Sequence, residues 1–269
     1  MLHGLIPPRR FFAYLTSPEI AALPHKDRAV LVQPLGAVEQ HGPHLPLLVD
    51  AAISMGVLGK TLQRLETVAP QVPIYALPPL YYGKSNEHIG FAGTVTLKAT
   101  TLMALLTDIA ESLYRSGFRK LVFLNSHGGQ PQILEIVARD LHAQYPDFSL
   151  FPLFTWRVPN ACGELLTAKE LEFGIHAGDG ETSLMLALYP ELVHLERAVC
   201  EYPAGLPQEK RPHSLLSMEG ANPFAWVMAD LTKSGVLGDA TAASLEKGEQ
   251  ILTSLVESWA QLLLDIYEF

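Results

Sequence analysis

Thiols are scarce in this chain. Its two cysteines, Cys162 and Cys200, stand 38 positions apart with no CxxC pairing among 269 residues. That excludes a disulfide framework and a thiolate zinc site, so any metal must be held by His, Asp and Glu. Positive charge is also in short supply: 19 Lys and Arg against 28 Asp and Glu give a net charge of -9. A nucleic-acid backbone is therefore a poor partner, and small molecules are the better expectation. No apolar run approaches the ~18 residues of a membrane helix. The one early basic pair, Arg9-Arg10, leads into a stretch too short and too polar for a signal-peptide core. A cytoplasmic location follows by default. What the chain does have is apolar content, 48% of its residues, enough for a core in one large α/β domain or two small ones. There is no internal repeat and no low-complexity tract.

Strand and helix signals alternate along the chain. Ser17 reads as the N-cap of a short helix with Pro18 at its first position. Residues 29–32 form a continuous apolar run, as in a strand covered on both faces, and helical spacing follows from Asp50 to about Leu65. Residues 72–77 are the next strand candidate, and Thr100 or Thr101 caps a helix that Gly117 ends. Residues 120–125, KLVFLN, make the clearest strand, followed by a helix opened by Pro131. Residues 149–156 read as a strand, 164–172 as a helix, and a further short helix carries Glu181 in its first turn. The segment 201–224 reads as an excursion or subunit contact, and 240–267 as a long amphipathic helix. This order predicts an α/β fold with a mostly parallel sheet.

Candidate chemistry begins in residues 32–50, VQPLGAVEQHGPHLPLLVD. If Glu39 and His41 continue the strand, its two-residue period points both to one face, and after the Gly42-Pro43 break the chain can bring Asp50 back to them. One nitrogen and two oxygen donors outline a divalent-metal half-site; an ordinary hydrogen-bonded surface is the plainer alternative. The loop at 78–97 carries Ser85, Glu87 and His88, either as a functional cluster or facing water. His127 falls at the carboxyl end of a parallel strand, where open α/β sheets gather ligands. Behind it, Gly128 and Gly129 let backbone approach a ligand, and a helix N-terminus offers free N–H groups. His176 and Glu181 flank a glycine-bearing turn, with Glu181 placed where a helix dipole favours its charge. Glu39, His41, Asp50, His127 and Glu181 thus share one sheet edge. Five such donors exceed one tetrahedral zinc with an open position, and an Asp using both oxygens suggests two ions sharing a bridge. Water there would ionise near neutrality to a hydroxide nucleophile, and His176 could supply the proton for a departing nitrogen.

Four segments, EQHGPHLPLLVD, YGKSNEHIGFAGT, NSHGGQ and HAGDGETS, resemble in the same order the signature segments of the creatininase family of metal-dependent amidohydrolases. The resemblance implies a single domain over 1–269, a three-layer α/β/α sandwich, two divalent ions (Zn, with Mn or Fe as options) and commonly a hexamer. It places Glu39, Asp50 and His127 on one ion and His41, Asp50 and Glu181 on the other. Ser85, Gly128 and Gly129 would face substrate, and His176 would transfer a proton. Creatinine-hydrolysing members follow the equivalent of His127 with a tyrosine and a glutamate and carry a tryptophan near Glu172; this chain has Gly128-Gly129 and no such tryptophan. Its HGG form is similar to the wider family, which includes formamide hydrolases and a peptidase of peptide-cofactor maturation. The expected reaction is hydrolysis of a non-peptide C–N bond in a small cyclic or formylated amide. A dinuclear phosphoesterase is the alternative from another class, against which stand the missing Asp-x-His start and the lack of Arg or Lys near the donors. A purely structural metal would leave Ser85, His88 and His176 without a task.

Overall fold

Side chains of the apolar run at 30–35 alternate between two cores, and the layering of the molecule follows from that alternation. In the computed structural model, which describes residues 2–204, 206 and 214–269, this run is strand β1 (Val30–Leu35) of a four-stranded sheet. With β2 (Ile74–Ala76), β3 (Lys120–Asn125) and β4 (Ser149–Phe154) it forms the order β2-β1-β3-β4, every pair parallel. The helices are α1 (Ser17–Ala22), α2 (Val49–Val68), α3 (Ala99–Arg115), α4 (Pro131–Gln144), α5 (Cys162–Leu165), α6 (Ala168–Phe173), α7 (Asp179–Leu188), α8 (Met228–Leu231) and α9 (Leu245–Glu268). Val30 and Val32 pack with Ile53 of α2, Leu184 of α7 and Trp259 of α9; Leu31 and Leu35 pack with Leu106 of α3 and Leu134 of α4. The result is the expected three-layer α/β/α sandwich. Each fully buried aliphatic side chain contributes about 1.5–3 kcal/mol. A ribbon of β5 (Cys200–Glu201) antiparallel to β6 (Gly238–Asp239) lies outside the sheet.

The expected boundaries hold best where apolar period and terminators agree, as at β3 and α4. They shift where a local hydrogen bond decides. Thr16, not Ser17, caps α1, its N–H donating to the Glu19 carboxylate at 2.7 Å. Helix α3 starts at Ala99, so Thr100 and Thr101 lie within its first turn and cap nothing. The single helix expected over 164–172 is two, because Thr167 accepts from the Glu170 N–H at 3.1 Å and starts α6 afresh. Strand β1 ends at Leu35, so Glu39 and His41 do not extend it. Part of the excursion at 201–224, residues 205 and 207–213, lies outside the described residues. Both cysteines are free, and no helix among the described residues is long and apolar enough to cross a membrane.

Candidate metal centre

Glu39 and His41 converge through a loop. At Gly36, just past β1, any Cβ would overlap the backbone of Ala51, so the close approach of the α2 N-terminus to this loop requires glycine. That approach places Asp50, in the first turn of α2, beside them, and the helix dipole favours its charge. The Glu39 N–H donates to the Leu47 carbonyl at 3.0 Å, closing the loop. His127 follows β3, where the Asn125 side chain accepts from its N–H at 3.1 Å and donates to its carbonyl at 2.8 Å. Glu181 enters from the first turn of α7, its carboxylate accepting from the Ala177 N–H at 2.5 Å. Ala177 itself is a non-glycine residue at φ +54°, a conformation costing about 1–3 kcal/mol that this bond helps to hold.

The five residues singled out in the sequence meet in space. Glu39, Asp50 and His127 have donor atoms within 4.8 Å of one another, and so do His41, Asp50 and Glu181; Asp50 belongs to both groups. His41 Nδ1 lies 3.1 Å from the Glu39 carbonyl, which can only accept, so Nε2 is the free ring nitrogen; it points at Asp50 Oδ1, 3.7 Å away. His127 is held the other way round. Its Nε2 lies 2.8 Å from the Lys84 carbonyl and 3.2 Å from Glu87 Oε1, leaving Nδ1 toward Glu39 Oε2 at 3.2 Å and Asp50 Oδ2 at 3.5 Å. Each ring is thus oriented by an oxygen behind it, the arrangement that fixes tautomer in metal-ligating histidines.

Electrostatics point the same way. Burial alone would push Glu39 up, but the histidines around it, His127 foremost, hold it well below the ordinary carboxylate range. Burial opposes charge on His41 too, and the carboxylates of Asp50, Glu181 and Glu39 outweigh it, raising His41 to about 9. His127 is raised likewise, by Glu39 and Asp50 against its own burial. Glu181 is pushed up to about 7 by burial and by Asp50. The cluster therefore retains protons in place of positive charge from elsewhere. His41 Nε2 and Asp50 Oδ2 are buried without any hydrogen-bond partner, at a spot where such atoms cost about 1–3 kcal/mol each. Buried carboxylates, imidazoles with one free nitrogen and orphaned donor atoms together fit divalent ions.

A cavity of about 580 Å³ opens over this cluster. Gly128, Gly129 and His176 lie on its wall with Glu39, Asp50, His127 and Glu181. Ser85 does not: it is fully buried behind Glu39, to whose carboxylate its hydroxyl donates. Three further residues belong to the site. His88 Nε2 lies 3.4 Å from Glu39 Oε1. Gln40 donates to His88 Nδ1 at 2.9 Å and to the Gly235 carbonyl at 3.0 Å. Glu87 fills the space beside Gly129, where a Cβ would overlap its carboxylate. The Ser-Asn-Glu-His run hinted at two of them; nothing in the sequence marks Gln40. His176 stacks between His41 and His88 at centroid distances of 4.2 and 4.3 Å, and its Nε2 lies 2.7 Å from the Gln40 carbonyl. Burial, then the neighbouring histidines, hold it well below the usual imidazole range.

Comparison with known proteins gives one answer. The family model described as Creatininase: Creatinine amidohydrolase matches residues 13–263. Creatinine amidohydrolase of Pseudomonas putida is 33% identical over 94% of this chain and 95% of its own length. The mycofactocin precursor peptide peptidase of Mycolicibacterium smegmatis is 32% identical over 88% and 85%. A creatininase variant complexed with creatine superposes with a TM-score of 0.75 at 32% identity, covering 96% of this chain and 98% of that one. With the same coverage, creatininase structures of zinc–zinc type and with manganese give TM-scores of 0.75 and 0.73 at 32% and 30% identity. This chain belongs to the creatininase family and is an amidohydrolase, a hydrolase of carbon–nitrogen bonds.

Proposed function

We propose that the chain, acting as one catalytic domain, hydrolyses a non-peptide C–N bond of a cyclic or formylated amide. In this reading Glu39, Asp50 and His127 would hold one divalent ion and His41, Asp50 and Glu181 the other, Asp50 belonging to both donor sets. The observation that carries it is the pair of buried atoms without a hydrogen bond, His41 Nε2 and Asp50 Oδ2, among carboxylates at and beneath the cavity lining. Ions bound there supply Lewis acidity, polarising the amide oxygen and acidifying water. The protein does the rest. His176, with Nε2 committed to the Gln40 carbonyl and burial keeping the ring neutral, accepts a proton at Nδ1 and returns it to the departing nitrogen. Gly128, where a Cβ would meet nothing within 4 Å, leaves open space for substrate over the cluster, and Gly129 leaves room for Glu87 to brace His127. Ser85 acts from behind Glu39, fixing its carboxylate.

Among the described residues no Lys or Arg lines the cavity, so a phosphate ester would lack a counter-charge from them. A second reading, scission of a peptide-like bond, is favoured by the cavity volume, ample for more than one small ring. A homohexamer, implied by the family resemblance, and a cytoplasmic location, expected by default, belong to the same proposal, and sedimentation analysis and cell fractionation test them. The main test is a screen of metal-replete protein against creatinine, formamides and short peptides, with metal content measured on the same sample. Turnover of a cyclic amide or formamide that disappears on chelation is expected; cleavage of peptides alone favours the second reading, and undiminished turnover after metal removal overturns both.

A further inference from the structure

The metal centre leaves part of the cavity lining unexplained. Phe224, Trp226 and Met228 with Leu166, Leu171 and Ile175 make that part apolar. The Trp226 indole N–H donates to the Met218 carbonyl at 3.0 Å, which fixes the ring. On the same segment Glu219 reaches the cavity. The other carboxylates there are committed. Glu170 accepts from the N–H groups of Asp179 and Asp239 and from the Tyr202 hydroxyl, at 2.7, 2.9 and 2.9 Å. Glu87 is paired with His127 and Lys84, and Glu39, Asp50 and Glu181 belong to the proposed centre. Among the described residues, the Glu219 carboxylate has no hydrogen-bond or ion-pair partner. Arg157 acts on it electrostatically but stays beyond 4 Å, its guanidinium 5.9 Å from the Phe154 ring centroid. Glu219 is an exposed residue, yet partial desolvation of its carboxyl pushes the pKa up, the condition that a bound cation relieves.

Volume narrows the occupant further. About 580 Å³ falls within the roughly 300–1,000 Å³ of pockets that hold drug-sized ligands, and a single five-membered amide ring would leave most of it empty. Building on the metal-dependent amidohydrolase reading, we infer that the substrate is an amide with an aromatic or bulky apolar body and a cationic group, such as a primary ammonium, remote from the scissile bond. Phe224 and Trp226 take the body, and Glu219 takes the cation. Among the described residues, the wall offers an anionic substituent at that end no Lys or Arg.

Hydroxamates test this, because they chelate divalent ions and so anchor at the floor. The probes are acetohydroxamate and three phenylacetohydroxamates bearing para-methyl, para-aminomethyl or para-carboxy groups, with Kd measured by calorimetry on the metal-replete full chain. The aminomethyl compound is expected to bind about 3–10-fold tighter than the methyl compound, as for a partly exposed ion pair, and the carboxy compound weakest. Glu219→Gln erases the first difference. Trp226→Ala weakens all three aryl probes relative to acetohydroxamate. Equal Kd values for the cationic and neutral probes, or a preference that survives Glu219→Gln, overturn the inference and leave the metal centre standing. Failure of acetohydroxamate itself to bind overturns the metal-centre reading and this inference with it.

Discussion

The two walls of the cavity are built differently. On the floor, three of the side chains are fixed from behind: Glu39 by Ser85, His127 by Glu87 and the Lys84 carbonyl, and His176 by Gln40. The far wall hangs on a few local bonds, Ser217 with the Asn222 carbonyl at 3.1 Å, Phe224 with the Ser217 carbonyl at 3.2 Å, and Trp226 with Met218. Bond-breaking chemistry demands donors held to within about half an ångström, and strand ends and helix starts deliver that. Recognition of a substrate's body tolerates looser support and sits on loops. On the proposed reading, the floor sets the kind of reaction and the wall sets what is fed to it.

Breaking the floor should cost most. His176→Ala is expected to lower turnover by about 10²–10⁴-fold while metal content stays at the wild-type level, measured by kcat alongside elemental analysis. Full activity in that variant would remove His176 from proton transfer. Glu170→Gln keeps one acceptor oxygen but sets an amide N–H₂ against either the Asp179 N–H of the turn carrying Glu181 or the Asp239 N–H of β6; urea unfolding should show a loss of about 1–3 kcal/mol, and an unchanged midpoint would mean the turn is held by other means. Glu87→Gln should weaken metal affinity by roughly 10–100-fold with little change in stability, read by chelator competition.

The smallest effect is expected beyond the sheet, where Glu201 joins the β5 strand to the loop at 232–235. Burial opposes its charge, but hydrogen bonds from Ser234, Thr232 and the Lys233 N–H outweigh that and hold Glu201 at about 2. A carboxyl depressed on folding contributes stability above its unfolded pKa of ~4.5 and loses it as pH falls toward 2. With solvent screening the contribution is about 1–2 kcal/mol. Wild type should exceed Glu201→Gln by that amount at pH 7 and converge with it between pH 4 and pH 2; a gap constant with pH would show that charge is not what the loop reads.

Much of the floor was legible in the sequence, because its donors sit where strand signals end and helix signals begin. The bounds of β3 follow from KLVFLN between a glycine and a histidine, and the five donors at that edge do come together. The route was not legible. Glu39 and His41 meet by a loop after β1 has ended, and what draws Asp50 to them is a missing Cβ at Gly36. The braces were hidden for a related reason: Ser85 with Glu39 and Glu87 with His127 are contacts between loops 46 and 40 residues apart, which leave no periodic trace. Ser85 consequently stands behind the cluster and off the cavity wall. The far wall was least visible, since 201–224 read only as an excursion and Phe224, Trp226 and Glu219 carry no motif.

The measurement that bears most directly on this account is the metal content of Asp50→Ala, determined by elemental analysis after loading with zinc or manganese, with circular dichroism to establish folding. A bridging Asp50 predicts that a folded variant holds neither ion and has lost turnover. A folded variant that retains both ions would contradict the shared-carboxylate centre on which the proposed chemistry rests.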